Sequence, residues 1–400
     1  MSETQKHTKP NVPNLRFPGF EGEWESCNLG EIADLSKGVG ISKDQRSNDG
    51  NPCILYGELY TTYSTEIIDE VVSRTNLPAK GLVKSEANDV IIPASGETAI
   101  DISTARCVTQ SDVFLGGDLT IIRLKGQDGK FFSYQLNGVR KKDIAKVAQG
   151  VSIVHLHGSD LAQVKVNYPS IPEQERISSL LSLIDQRISI QNKVIRKYES
   201  LIRAIILISQ SFASNRKVYL REILTERKEL NEHGYDICSV SVSKGVVNQV
   251  EYLGRSFAAK ETAHYHVVHK GDIVYTKSPT GEFPYGIVKQ SYLDVPVAVS
   301  PLYGVYEPID YLTGVYLHHF FCSPQNAKNY LHKLIQKGAK NTINITNQHF
   351  LDNHISIPES DALRKNVALI EMLSTKLDME KELLYVYLKQ KTFFLSSLFI

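Results

Sequence analysis

The sequence predicts an α+β protein. Two similar mixed α/β domains alternate with two long helices, which form an antiparallel intramolecular coiled coil with pseudo-twofold symmetry. Three observations predict this fold. Short sequence patterns occur twice in the chain, and each half changes once from β-rich sequence to a long stretch without Gly or Pro. Those stretches carry apolar residues at steps of three and four, as helices do. The predicted segments are residues 1–19 (N-terminal segment), 20–171 (first domain), 172–213 (central helical spacer), 214–358 (second domain) and 359–400 (C-terminal helical spacer).

The repetition keeps its order at an offset of roughly 190 residues. An ordered series of matches is rare by chance, so we interpret the chain as duplicated. The matched pairs are Leu29–Ile32 with Leu220–Ile223, Asn88–Ile92 with Gly271–Tyr275, Gln149–Gly150 with Lys337–Gly338, Leu161 with Phe350, and Val166–Pro169 with Ile355–Pro358.

Four runs rich in β-branched and aromatic residues are typical of strands. Two lie in each half, between turn-forming residues, and they predict a mixed sheet in each domain. The runs are residues 89–93, 119–124, 272–276 and 303–306.

The stretches after Pro172 and Pro358 predict helices of about 40 residues, about 60 Å long at about 1.5 Å per residue. Helices of this length need partners, which favours a heptad seam within the chain over helices folded back into ordinary cores. The first seam is Ile177, Leu181, Ile184, Ile188, Gln191 (its one polar member), Ile195, Tyr198, Ile202 and Ile205; the second is Leu363, Val367, Ile370, Leu373, Leu377, Leu384, Leu388 and Leu395, interrupted by Glu380 and Lys391.

The composition, 42% hydrophobic and 22% charged with 25 Gly and 15 Pro, excludes disordered, collagen-like and disulfide-rich classes. The five cysteines are odd in number and far apart, which favours a reducing cytoplasm. The N-terminus is polar, and the longest apolar run, residues 201–209, is too short to cross a bilayer. We therefore expect a cytoplasmic protein without membrane insertion. The net charge of +1 means that any surface for nucleic acid must be local.

Known catalytic motifs for phosphate, dinucleotide, acyl-transfer and zinc-protease chemistry do not occur in the sequence. His264 and His266 would share one strand face, but no acidic or Cys ligand stands at a suitable spacing. The same holds for His155 and His157. We therefore expect neither a catalytic residue nor a metal site in this chain.

Basic residues cluster near the repeated glycine of each half and are followed by side chains able to reach base edges. Lys and Arg side chains bind DNA phosphates and fix the position of the protein along the duplex, whereas Asn, Ser, Thr and His side chains recognise bases. A solvated helix face ending in a glycine cap is the alternative. The candidates are Arg140, Lys141, Lys142, Lys146, Gly150, Ser152 and His155 in the first half, and Lys328, Lys333, Lys337, Lys340, Asn341, Thr342 and Asn344 in the second.

A second duplicated loop follows the Asp-apolar strand of each half. Small hydroxylic residues and glycines allow close approach of backbone to a ligand, although a plain hairpin or bulge explains them about as well. A third pair, Tyr56–Glu58 with Ser239–Ser241, is weaker. The loop candidates for DNA contact are Ser95 and Thr98 in the first half and Lys277, Ser278 and Thr280 in the second.

This pattern resembles the specificity (S) subunit of type I restriction-modification systems over almost the full chain. One departure concerns the start of the second long helix. Residues 358–364 lack the Glu-Gln pair that the first long helix carries near its start, at residues 173–174. The segments that carry the resemblance are residues 13–25 leading into 29–32, residues 169–177, and residues 91–98 and 272–279.

The resemblance implies two target-recognition domains that each read one half of a bipartite asymmetric site in double-stranded DNA, separated by a coiled-coil ruler. It also implies two modification subunits that use S-adenosylmethionine to methylate adenine, and restriction subunits that use ATP with Mg. No cofactor is expected on this chain. The alternatives are a coiled-coil adaptor that binds proteins only and an enzyme with an unrecognised site.

Overall fold

The structure is a computed structural model and describes residues 11–253, 261–337 and 343–400. The chain divides into two compact units, the first formed by residues 1–192 with 382–400 and the second by residues 193–381. Each unit combines strands and short helices with one part of each of two long helices. The predicted fold class of mixed α/β domains alternating with long helices is confirmed. No helix among the described residues has the length and apolarity needed to cross a membrane.

The first unit contains most of its strands in two five-stranded sheets. Its elements are β1 (Glu25–Asn28), α1 (Leu29–Ile32), β2 (Ala33–Lys37), a 3-10 turn (Lys43–Gln45), β3 (Arg46–Ser47), β4 (Asn51–Ile54), α2 (Glu58–Thr61), β5 (Ile67–Ile68), β6 (Ser73–Thr75), β7 (Val83–Lys84), β8 (Asp89–Pro93), β9 (Ser95–Gly96), α3 (Ala99–Ile102), β10 (Arg106–Val108), β11 (Phe114–Leu115), β12 (Leu119–Leu124), α4 (Gly129–Asn137), α5 (Lys141–Val147), β13 (Val154–His155), α6 (Gly158–Leu161) and β14 (Lys165–Tyr168), followed by the first long helix, α7 (Ile171–Gln210).

The order of the central sheet is β2-β12-β8-β10-β5, and that of the second is β3-β6-β4-β11-β7. Every residue of β8 is buried, as its apolar run predicts for a central strand. Helix α4 packs on β8 and β10. Its Phe131 and Phe132 share one hydrophobic core with Leu181 of α7 and Phe399, so the domain and the long helices bury a common core.

The second unit repeats the pattern with a four-stranded sheet of order β16-β23-β20-β21. Its elements are β15 (Arg216–Tyr219), α8 (Leu220–Ile223), β16 (Leu224–Glu226), β17 (Cys238–Ser241), β18 (Gly245–Asn248), α9 (Gln249–Leu253), β19 (His266–Val268), β20 (Ile273–Thr276), β21 (Ile287–Gln290), β22 (Val297–Val299), β23 (Gly304–Pro308), α10 (Tyr311–Phe321), α11 (Pro324–His332), β24 (Gln336–Lys337), β25 (Ile343–Asn344), α12 (Asn347–Phe350) and β26 (His354–Ile357), followed by the second long helix, α13 (Ser360–Ser397).

The repeated Leu-x-Glu-Ile pattern forms the same helix start in both units. Glu31 accepts a hydrogen bond from the backbone N–H of Asn28 at 2.9 Å, and Glu222 accepts one from Tyr219 at 2.9 Å. These contacts satisfy an N–H that a helix terminus otherwise leaves without a partner. The repeated glutamate is therefore a helix-capping residue in both halves.

The repeated Asp before the central strand is buried and holds an arginine in both units. Asp89 receives two hydrogen bonds from Arg123, at 2.9 and 2.8 Å, and Asp272 receives two from Arg227, at 2.7 and 3.0 Å. The preceding residues, Asn88 and Gly271, have positive φ angles of 82° and 94°. Asn and Gly adopt this conformation readily, which explains why the repeat carries one of them at this position.

Most of the predicted seam of α7 is buried, namely Ile177, Leu181, Ile184, Gln191, Ile195 and Ile202, with Ile188 and Tyr198 half-buried. At the end of the helix the predicted Ile205 is half-buried, and its neighbour Ile206 is buried. Helix α13 buries Leu363, Val367, Ile370 and Leu377 and half-buries Leu384.

Helix α13 departs from its predicted seam near its C-terminal end. Leu388 was predicted in the seam but is 46% exposed, so this prediction is wrong. Lys391, predicted as an interruption, lies inside the first unit instead, with its ammonium 2.7 Å from Asp185 of α7 and 2.6 Å from Glu66. The two carboxylates compensate the buried charge, which a count of apolar residues cannot anticipate. Residues 177–185 of α7 thus meet the segment 391–399, which is the end of α13 and the residues after it, in antiparallel order.

Candidate nucleic-acid interface

The two candidate loops of the first unit lie side by side. Strand β13 pairs antiparallel with β9, which places His155 opposite Ser95 and Val154 opposite Gly96. Helix α3, which begins after Thr98, also packs against α5, which carries Lys142 and Lys146. The sequence analysis selected these segments separately, and the structure brings them together on one part of the first unit.

Residues 149–155 form a hairpin with an exposed apolar tip. The N–H of Gln149 donates to the carbonyl of His155 at 2.9 Å, and the N–H of His155 donates back at 2.7 Å. At the tip, Val151 is 99% exposed, and Ser152 and Ile153 are also exposed. The sequence analysis looked for polar readers and missed Val151 and Ile153. Two β-branched apolar residues beside a glycine in a polar loop were the signal that could have found them.

Gly150 has a φ of 127°, and a Cβ atom built there would lie 2.1 Å from the carbonyl oxygen of Ile153. We expect Gly150→Ala to open this hairpin, because both the backbone angle and the contact are unfavourable, by about 1–3 kcal/mol. Faster amide hydrogen exchange at Gln149 and His155 would measure the opening. Gly126→Ala is the matched control, since Gly126 also has a positive φ but no atom within 4 Å of its Cβ position. Equal protection in both variants would contradict the prediction.

The four basic candidates before Gly150 differ in how far they can reach a ligand. Arg140 is mostly buried and donates to the main-chain oxygen of Ile400 at 2.8 Å. Lys141 is half-buried, and burial followed by the charge of Arg106 lowers its pKa. Lys142 and Lys146 are exposed, and Lys146 pairs with Asp143 at 3.1 Å. Lys142 and Lys146 therefore present the accessible positive charges.

The two hydroxyl side chains predicted in the first loop differ in their exposure to solvent. Ser95 is buried, whereas Thr98 is exposed and caps α3 by accepting the N–H of Asp101 at 3.1 Å. Tyr60, which the sequence analysis did not select, lies beside this loop, with its hydroxyl 3.9 Å from the Cβ position of Gly96. Burial raises the pKa of Tyr60, and the charges of Asp101 and other neighbours add to this. The phenol is thus a neutral donor beside Gly96.

The second unit brings its corresponding segments close to each other. Ser278 and Thr280 are exposed on the loop after β20, and burial lowers the pKa of the half-buried Lys277. The ring of Tyr285, farther along this loop, lies 5.7 Å from the ring of His332 at the end of α11. Lys333 follows as an exposed residue.

Strands β24 and β25 pair antiparallel beyond Lys333. The remaining candidates, Lys340, Asn341 and Thr342, lie outside the described residues, as do the side chains of Lys337 and Asn344. Their role in DNA contact stays a prediction.

Among the histidines that the sequence analysis weighed as metal ligands, His266 has a protein partner, the carbonyl oxygen of Tyr303 at 3.2 Å. In the part of the chain that the structure describes, no group of three or more His, Cys, Asp or Glu side chains is arranged to hold a metal ion.

The long helices carry exposed apolar side chains in each unit, which the seam pattern did not anticipate. Contiguous apolar surface is typical of protein contacts. The set in the first unit includes Leu183, Ile190, Val386 and Phe393, and that in the second includes Leu201, Ile208, Met372 and Met379.

The comparisons with known proteins agree with this architecture. Residues 21–199 match the family model described as the type I restriction modification DNA specificity domain. No curated protein sequence matches the chain. The chain resembles the crystal structure of a type I restriction-modification S subunit from M. genitalium, with a TM-score of 0.62, 16% identity, and coverage of 97% of this chain and 99% of that one. An HsdS subunit from Thermoanaerobacter tengcongensis aligns with a TM-score of 0.38 and 13% identity, over 96% of this chain and 97% of that one.

Proposed function

We infer that this chain is a DNA specificity subunit of a type I restriction-modification system, and that its two domains each read one half of a bipartite asymmetric DNA site. In this role the chain is a non-catalytic component of its complex. The observation that carries the proposal is the duplication of one arrangement, in which a buried central strand is followed by a loop that lies near a second segment with basic residues in or before it.

The two loop regions carry different side chains, which supports an asymmetric site. The first presents Thr98, Ser152 and His155, and the second presents Ser278 and Thr280. Base readout depends on which donors, acceptors and apolar groups reach the groove. Two different sets of readers on one repeated scaffold therefore suit two different half-sites.

We propose that partner subunits supply the catalytic activity and much of the affinity for DNA. The net charge of +1 gives the isolated chain little general attraction for a polyanion. The exposed apolar residues of the long helices, present in both units, support docking of two modification subunits. These would use S-adenosylmethionine to methylate adenine N6 after flipping the base. Restriction subunits would use ATP with Mg, and the cytoplasm is the compartment we propose because the complex must reach the cell's DNA.

A methylation map tests the proposed function directly. The chain is expressed with its modification subunit in a host free of DNA methylation, and N6-methyladenine is mapped by single-molecule sequencing. We expect a bipartite asymmetric motif that disappears when this chain is omitted. Exchange of residues 20–168 for those of another specificity subunit should change one half of the motif and leave the other. A stable complex with an active modification subunit but no motif would favour the adaptor alternative.

Replacing Lys142 and Lys146 together with Ser should weaken DNA binding by the assembled complex without changing the motif. Each lost phosphate contact is expected to reduce the slope of log affinity against log salt by about one. Fluorescence anisotropy of a target duplex at several salt concentrations gives this slope. Lys84→Ser is the control, since Lys84 is exposed and pairs with Asp112 away from these loops. An unchanged slope in the double variant would remove these lysines from the interface.

A further inference from the structure

The hairpin of residues 149–155 carries two exposed apolar side chains at its tip. Val151 is 99% exposed and Ile153 is 60% exposed, whereas Val154, the next residue along the chain, is 7% exposed. Single exposed apolar residues are normal on protein surfaces, so exposure alone indicates no function. The construction of the hairpin and the residues around it distinguish this pair.

The base of the hairpin is fixed by several contacts. Strand β13 pairs with β9, and Val154 belongs to the hydrophobic core of the first unit. Backbone hydrogen bonds join Gln149 and His155 in both directions, and the side-chain amide of Gln149 donates to a carboxylate oxygen of Asp160 at 3.1 Å. Valine and isoleucine side chains also have few rotamers. The tip is therefore preorganised, and covering it costs little conformational entropy.

The size of the tip favours a base edge over a protein partner. Specific protein interfaces bury about 1,200–2,000 Å² in total, far more than two side chains supply. A thymine, in contrast, presents a single methyl group in the major groove. That groove is about 12 Å wide and admits a two-stranded ribbon, which is the form of this hairpin.

Exposed positive charge lies beside the hairpin. Helix α5 ends two residues before Gln149 and carries Lys142 and Lys146 as exposed residues. Two acidic side chains of this region already have protein partners, since Asp143 pairs with Lys146 at 3.1 Å and Asp160 accepts the hydrogen bond from Gln149. Within the described part of the chain, Lys142 forms no ion pair. Lys142 is therefore available to a DNA phosphate beside the groove.

We propose that the tip of this hairpin enters the major groove, where Val151 and Ile153 contact the methyl group of a thymine in the half-site of the first domain. The inference rests on the proposed function and adds an apolar contact to the polar readers Ser152 and His155. A methyl group offers no hydrogen bond, so apolar side chains are the ones that recognise it. A methylated adenine pairs with a thymine, so each half-site contains at least one thymine.

The test removes only the methyl group. Duplexes with the motif from the methylation map carry deoxyuridine in place of each thymine of this half-site in turn. Fluorescence anisotropy gives the affinity of the assembled methyltransferase complex for each duplex. We expect one substitution to weaken binding about fourfold, the ratio that burial of one methyl group gives. Equal affinity for the thymine duplex and all deoxyuridine duplexes would overturn the proposal.

A double variant assigns the contact to the hairpin. The variant with Val151→Ser and Ile153→Ser should bind the thymine and deoxyuridine duplexes equally, because it lacks the apolar groups that contact the methyl. Val72→Ser is the matched control, since Val72 is a 64% exposed valine of the same unit outside the hairpin, and it should keep the fourfold difference. A difference that persists in the double variant would overturn the assignment. Amide hydrogen exchange at Gln149 and His155 verifies that the hairpin stays closed.

The same titrations separate this inference from the proposed function. A wild-type complex that prefers the motif duplex to a scrambled duplex but ignores every thymine methyl group keeps the proposed function and overturns the thymine contact. A wild-type complex without that preference contradicts the proposed function itself, and the inference is overturned with it. The deoxyuridine series on the wild type decides the proposal without any variant.

Discussion

Lys391→Met is expected to lower the free energy of unfolding of the first unit by about 3–5 kcal/mol at pH 8. The ammonium of Lys391 lies 2.6 Å from Glu66 and 2.7 Å from Asp185, and the three side chains are 14%, 10% and 7% exposed. Methionine would fill the same space but leave the two carboxylates without the positive charge of the lysine. The penalty of those uncompensated charges, and not the loss of packing, sets the size of the effect.

The same loss should be smaller at pH 5, because a proton can replace the lysine. Burial and the charge of Glu66 raise the pKa of Asp185 to about 6 even with Lys391 present. The folded state therefore binds more protons than the unfolded state between about pH 4 and 6, and this group's contribution to stability falls as the pH rises through that range. Without Lys391, the pKa rises further and the slope becomes steeper. The pKa of Lys391 is itself raised, so its stabilising effect persists up to strongly alkaline pH.

Urea unfolding at pH 5 and pH 8 measures this difference, and Trp24 provides the signal. It is the one tryptophan of the sequence and is buried in the first unit. Lys389→Met is the matched control, since Lys389 is an exposed lysine of α13 and should change stability by less than about 0.5 kcal/mol. An equal loss for Lys391→Met at both pH values would show that the carboxylates are not coupled through the lysine.

The helices show how far a sequence pattern can predict a fold. Periodicity located α7 and α13 and most of their buried residues, because burial of an apolar stripe depends on local spacing. It failed at Lys391, because one of its partners, Glu66, is 325 residues away in the chain. No local pattern carries information about such a contact.

The candidate site shows a similar limit. Repetition and residue type selected the loops around Thr98 and Gly150, but the pairing of β9 with β13 joins segments about 60 residues apart. The sequence analysis also treated neighbouring lysines as equivalent. The structure separates the mostly buried Arg140 from the exposed Lys142, since only folding decides which side of α5 faces the core.

Asp272→Ala is expected to destabilise the second unit by about 3–5 kcal/mol. Asp272 is buried, holds Arg227 through two hydrogen bonds and also accepts the backbone N–H of His269 at 2.8 Å. Removing the carboxylate leaves the guanidinium half-compensated and the N–H without its partner. Asp272→Asn should cost less, because an amide oxygen can still accept the N–H.

Asp89→Ala, the equivalent change in the first unit, should have a smaller effect. Arg123 is 41% exposed and can be solvated when its partner is lost, whereas Arg227 is 19% exposed. Hydrogen exchange of the amides of β8 and β20 reports the two units separately. A larger effect at Asp89 would mean that exposure of the arginine does not set the cost. Because both aspartates stabilise the scaffold and face away from solvent, the methylated motif should stay the same in each variant that folds. A changed motif would instead assign this repeated aspartate to recognition.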